Sequence, residues 1–170
     1  MNKKMFYSLS IGAFLIMLLP LAFIFLKPRY SNVFEEIYHD EYHHTIGSWL
    51  SPTASTLESL GYIDSNFENE VIERDYISST AFEFFAIPHA LQMSALKTGM
   101  NIMILQNPVE WDNSHVQLII MLAFNKNDRY IFNEIFEPLT MILTNRENLN
   151  RLLRSSTYIE FINVLASCID

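Results

Sequence analysis

The chain has 170 residues, half of them hydrophobic, with thirteen Phe and a formal net charge of −8. Such a composition excludes a disordered chain, and its acidity disfavours direct binding of nucleic acid, whose phosphates such a surface repels. One cysteine, Cys168, excludes an intrachain disulfide. It stands near the end of the sequence and reads as a small apolar side chain near a helix end.

Phe6 to Leu26 contains no charged side chain. As a helix this stretch would reach ~31 Å, enough to cross the hydrocarbon core of a membrane. The sequence therefore predicts an apolar N-terminal helix over residues 1–30, serving as a transmembrane anchor. A cleaved signal peptide, a buried helix and the remnant of a longer parent protein are the alternatives left open. Lys27 to Ser31 reads as a linker, and residues 31–170 as one domain.

Along that domain, Thr45 to Leu60 is helical in part, interrupted at Ser51-Pro52 and stopped by Gly61. Ser65-x-x-Glu68 forms a capping-box pattern, predicting a helix from about Asn66 to Tyr76. Phe84 to Ile87 is a short apolar run ending at Pro88. Proline holds the preceding residue extended, so Ile87 ends a strand and His89 stands just beyond it. Met100 to Leu105 predicts a second strand and Asn107-Pro108 a turn. Val116 to Phe124 is nearly all apolar, as a strand covered on both faces must be.

Helices follow. Ile131, Ile135, Phe136, Leu139, Ile142 and Leu143 recur at helical spacing, with Pro138 expected to kink the run. Thr144-x-x-Glu147 and Thr157-x-x-Glu160 predict two further capped helices. This order of elements predicts an α/β fold with a mixed sheet flanked by helices in three layers.

Five histidines are candidates for chemistry: His39, His43, His44, His89 and His115. His39 and His43 lie four apart, a spacing that could present both to a metal. Asp40 follows the first where a zinc protease needs Glu, no third ligand is evident, and a solvated polar segment accounts for them. His115 reads as a strand-edge residue. His89 differs in its frame: a strand ending in proline sets the imidazole at the carboxyl edge of a sheet, where α/β folds place their sites. Imidazole is nucleophilic and partly neutral near pH 7, so it can accept and return a phosphoryl group, although spacing alone favours a structural histidine. The chain has four glycines, no phosphate-binding loop and no GxGxxG, which leaves no cofactor indicated.

The stretch from Leu60 to His89 resembles the enzyme IIA domain of the mannitol/fructose type from the bacterial sugar phosphotransferase system. That domain occurs as a phosphocarrier and as the last domain of antiterminator-type transcription regulators. The residues that carry the resemblance are Gly61-Tyr62-Ile63, Glu73-Arg74, Ser78-Ser79-Thr80-Ala81 and Ala86-Ile87-Pro88-His89-Ala90. Pro108-Val109-Glu110-Trp111 and the closing segment Tyr158 to Leu165 extend it over roughly residues 33 to 170.

The resemblance implies that His89 is the phosphoryl acceptor and Arg74 the cation that stabilises the transferring oxygens. Without it, Arg74 is a surface helix arginine paired with Glu70 or Asp75. Thr80 either offers its hydroxyl to the phosphate or ends the helix. The implied donor is the phosphorylated histidine carrier protein, the implied recipient an enzyme IIB, and the implied location the cytoplasm, with residues 6–26 as a tether to the membrane's inner face.

Two departures from the family pattern stand out. Glu83-Phe84-Phe85 fills a place where relatives often carry glycine, and Tyr130 holds the position of a second active-site histidine. A phenol donates a hydrogen bond but accepts a proton poorly near pH 7. Both departures fit a regulatory domain better than a fast relay. They leave open a site-decayed interaction module or a truncated remnant of a larger regulator, with the Phe84-Phe85 rings as the expected block to His89.

Overall fold

The computed structural model describes residues 23–26 and 43–168. Among these residues four strands form one sheet: β1 (Phe23–Leu26), β2 (Phe85–Ala86), β3 (Ser94–Trp111) and β4 (Ser114–Asn125). Their order across the sheet is β1-β3-β4-β2. β3 and β4 are an antiparallel hairpin, while β1 runs parallel to β3 and β2 parallel to β4. The helices are α1 (His43–Ser59), α2 (Phe67–Ile77), α3 (Arg129–Thr144), α4 (Arg146–Leu153) and α5 (Tyr158–Ser167), with a 3-10 turn at Lys126–Asp128 leading into α3.

The layers follow from the period-two alternation of β4. Leu118, Ile120, Leu122 and Phe124 point to one face, where Ile131, Ile135 and Leu139 of α3, Leu149 of α4 and Phe161 of α5 cover them. Ile119, Met121 and Ala123 point to the other, against Ile46, Leu50 and Leu57 of α1 and Phe67 and Val71 of α2. The sheet is thus buried on both sides, and the expected mixed α/β arrangement with flanking helices is what the chain forms.

Several local expectations change. Phe23–Leu26 is a strand, paired in register from Phe23 with Met100 to Leu26 with Met103. The predicted apolar N-terminal helix therefore cannot extend to Leu26, and the rest of its range lies outside the described residues. Among the described residues no helix is long and apolar enough to cross a membrane. α1 runs unbroken through Pro52. It ends as expected at Gly61, whose φ of 69° lets Tyr62 N donate to Leu57 O at 2.9 Å and Gly61 N to Glu58 O at 2.8 Å, a Schellman closure.

The Ser65 capping box does not form. Asn66 is the N-cap of α2, with its own backbone N–H donated to Asp64 Oδ1, and Glu68 instead accepts from the Ser51 hydroxyl of α1. At α4 the cap is Asn145 rather than Thr144, its side chain accepting from the N–H groups of Glu147 and Asn148. Thr157 and Glu160 do form the predicted box.

Asn107-Pro108 is no turn. It lies inside β3, where five steps from Ile104 to Val109 face two steps from Leu118 to Val116. Such a bulge tolerates a proline because the ladder is already interrupted there. The Gln117 amide reaches across to Leu105 O at 3.2 Å. A second irregularity, between Ser94 and Gly99, is filled in the same way by the Asn125 amide on Ala95 O at 2.9 Å. The hairpin turns at Asp112 instead, with φ of 55°.

Candidate functional site

β2 is short because Pro88 has no N–H to continue a ladder. Phe85 and Ala86 pair with Leu118 and Ile119, and Pro88 O accepts from Leu122 N at 2.8 Å. His89 then forms an isolated parallel bridge to Leu122. The sequence thus ends a strand at the sheet's edge and leaves the next side chain half-buried beside α3.

The His89 ring has a fixed orientation. Its Nδ1 donates to Ile87 O at 2.9 Å. A carbonyl can only accept, so Nδ1 holds the ring proton of the neutral imidazole and Nε2 carries the lone pair. Phe132 and Phe136 of α3 pack on the ring, with centroids at 5.2 and 5.7 Å. Burial lowers the pKa from its ordinary 6.5, the positive charge of Arg74 acts in the same direction, and the Ile87 bond and the negative charge of Asp75 oppose them. The result is an imidazole that is oriented and neutral at neutral pH, with the Nε2 lone pair free of the Ile87 bond.

Arg74 sits on the last turn of α2, and its Nη1 donates to Ser78 O at 2.7 Å. It does not take the surface pairing with Glu70 or Asp75: Glu70 accepts from the Ser94 hydroxyl, and Asp75 turns inward. With Glu70, Glu73, Ile77, Leu91 and Gln92, Arg74 lines a shallow cleft. Ile77 and Leu91 leave most of their apolar surface exposed along it.

Thr80 is buried, and its hydroxyl and backbone N–H both donate to Asp75 Oδ1. Its hydroxyl proton is thereby used within the protein, and its carbonyl accepts from Ile87 N at 3.0 Å. Tyr130, expected from the resemblance to stand in for a second histidine, is 59 % exposed on the first turn of α3. The α3 side chains that touch His89 are instead Phe132 and Phe136, two and six residues further along.

Of the sequence-predicted residues, His89 and Arg74 are therefore brought within electrostatic range of one another, Thr80 lies behind them, and Tyr130 faces outward. The Phe84-Phe85 rings take other partners. Phe85 is buried in the core and stacks on Phe82 at 4.7 Å, while the Arg146 guanidinium covers Phe84 at 4.2 Å. His115 is exposed on β4 opposite Glu110, the strand position expected of it. His39 lies outside the described residues, and among those described no group of three or more metal-ligating side chains is placed to hold an ion.

Sequence reasoning missed three contributors: Asp75, Phe132 and Phe136. The phenyl pair had a signal, a four-residue spacing beside the buried stripe of α3. Asp75 had none, because an acidic residue at the end of an acidic helix reads as solvated.

The family model for the phosphoenolpyruvate-dependent sugar phosphotransferase system, EIIA 2, matches residues 35–168. The chain is 26 % identical over 108 residues to the mannitol-specific phosphotransferase enzyme IIA component of Halalkalibacterium halodurans, covering 61 % of this chain and 72 % of that one. It is also 26 % identical over 117 residues to the transcriptional regulator ManR of Bacillus subtilis, covering 68 % of this chain but 18 % of the regulator. Its fold resembles that of enzyme IIA mannitol from Escherichia coli, solved in complex with phosphorylated enzyme IIB mannitol, at a TM-score of 0.60 and 19 % identity over 85 % of this chain and 99 % of that one. A sheet edge ending in Ile-Pro-His, an arginine on the preceding helix and a family match over most of the chain lead to one assignment: this protein belongs to the EIIA 2 family of the phosphoenolpyruvate-dependent sugar phosphotransferase system.

Proposed function

We propose that His89 is the phosphoryl acceptor of this EIIA domain and that phosphorylation of His89 is its working event. The observation that carries the reading is the Nδ1–H bond to Ile87 O, which leaves Nε2 as the nucleophile. In the step, the Nε2 lone pair bonds to the phosphorus of a phosphohistidine on the donor. The donor's P–N bond breaks, and its electron pair returns to the donor imidazole. The His89 ring becomes an N-phosphoimidazolium whose Nδ1–H still donates to Ile87 O, and no cofactor is required.

Arg74, at the rim of the cleft, is the cation for the transferring oxygens. Thr80 acts from behind through its bonds to Asp75, and Tyr130 offers a phenol hydroxyl in place of a second histidine. The phosphorylated histidine carrier protein is the proposed donor and an enzyme IIB the proposed recipient. The complex of the Escherichia coli relative with its phosphorylated enzyme IIB supports the second. The cytoplasm, where such donors work, is the proposed location. Residues 31–170 are the proposed functional unit, supported by the family match over 35–168.

EIIA 2 domains serve both as carriers and within regulators, as the relatives above illustrate. The phenyl rings on His89 and the outward Tyr130 favour the regulatory role, because an imidazole with no second base beside it suits a signal better than a fast relay. The full chain, incubated with phosphoenolpyruvate, enzyme I and the histidine carrier protein, should acquire acid-labile label, and His89→Ala should not. Label retained by His89→Ala would overturn the reading by pointing to another acceptor, and a folded wild type that takes none would overturn it and leave a site-decayed interaction module. Adding enzyme IIB then separates carrier from regulator.

A further inference from the structure

Asp75 is 1 % exposed, at the C-terminal end of α2. A carboxylate there faces the negative end of the helix dipole and loses its hydration, so helix stability does not explain its presence. What surrounds it does. Thr80 N donates to Oδ1 at 2.6 Å, the Thr80 hydroxyl donates to the same oxygen, and Trp111 Nε1 donates to Oδ2 at 3.0 Å. All three partners are donors, the environment of an anion rather than of a carboxylic acid.

The bonds continue toward the site. Thr80 O accepts from Ile87 N at 3.0 Å, which fixes the Ile87 peptide, and Ile87 O accepts from His89 Nδ1 at 2.9 Å. On the other side of the same turn, Ser78 O is held by Arg74. A single buried carboxylate therefore ties the end of β3 to the turn before β2 and, through Thr80 and Ile87, to the imidazole.

We propose that Asp75 is a positioning residue for phosphoryl transfer: through Thr80 and Ile87 it fixes the orientation and tautomer of His89. This rests on His89 being the acceptor. Positive charge develops on the ring as Nε2 bonds to phosphorus, and the negative charge of the buried carboxylate also favours that charge. The charged groups facing His89 are Arg74 and Asp75, both on α2; α3 contributes the rings of Phe132 and Phe136, and β4 contributes the backbone at Leu122.

The test reads His89 directly by nitrogen-15 NMR on the full, unphosphorylated chain, which needs no donor and so separates this inference from the phosphorylation assay. Wild type should show the Nδ1–H tautomer. Asp75→Asn should populate both tautomers, move the titration midpoint of His89 lower and slow labelling about tenfold. Thr80→Val and Trp111→Phe each leave the carboxylate in place and should shift the same resonances less, with cooperative unfolding retained. These two variants decide the matter if Asp75→Asn does not fold. Folded variants whose His89 tautomer and titration match wild type would overturn the proposal and reduce Asp75 to a structural anchor.

Discussion

The phenyl ring of Phe132 lies against the imidazole of His89, with 5.2 Å between centroids and the planes tilted by 52°. Phe136 meets the same imidazole edge-on, and the two phenyls stack on each other at 5.1 Å. The face of the imidazole turned to α3 is therefore apolar.

Removing the first ring should show what that face does. Phe132→Ala opens the imidazole to water, so the His89 midpoint should rise toward 6.5, and the half-buried ring's loss should cost about 2 kcal/mol of stability. A proton NMR titration and a urea melt read the two effects separately.

Folding stability should depend on His89 with a definite sign. The folded chain holds His89 neutral to lower pH than the unfolded chain, whose histidines titrate near 6.5. The unfolded state binds more protons below that value, so stability falls as pH drops through 6.5 and levels off below the folded midpoint. His89→Gln should flatten the dependence of the melting temperature between pH 7.5 and about pH 5.5. An unchanged slope in the variant would mean that burial does not shift this histidine.

Gly99 is a packing site. A Cβ there would stand 2.7 Å from Tyr62 Cδ1, so the ring must move. Tyr62 O also accepts from Leu96 N and Lys97 N, which ties that residue to the start of β3. Gly99→Ala should cost about 1–3 kcal/mol by overpacking. Chemical denaturation measures it, and a loss under about 0.5 kcal/mol would mean that the ring moves freely.

The capping box at Thr157 secures α5, whose Phe161 and Leu165 reach the core. Thr157→Ala removes the acceptor for Glu160 N and should cost about 1 kcal/mol. Thr157→Ser should restore most of it, which thermal melts of both variants can check.

The sequence made His89 legible because proline leaves a durable local signature. The extended residue before Pro88 and the unbroken apolar run of β4 required no tertiary knowledge. Gly61 and Thr157 were readable for the same reason, each satisfying helix-end groups within a few residues. Pro52 and Pro108 misled. A proline inside α1 is carried by the burial of Leu50 and Leu57 against the sheet, and the one in β3 falls in a bulge that only cross-strand register reveals. The Ser65 pattern failed because Glu68 is claimed by α1. Asp75 was illegible because its partners, Thr80 and Trp111, are joined to it by the fold; Trp111 lies 36 residues away.

The brevity of β2 has a consequence for the order in which the molecule assembles. β3 and β4 close through a tight turn at Asp112, a local event. β2 pairs parallel with β4, Phe85 with Leu118, across the whole of that hairpin, and contributes two residues of ladder. Closing the longer loop costs more chain entropy and returns few bonds, so β2 has a template only once the hairpin stands. In hydrogen exchange, the amides of Phe85, Ala86, Ile87 and His89 should open at lower free energy than the hairpin does. A half-folded chain of this protein carries the histidine but not the site, so reactivity at His89 reports that folding is complete.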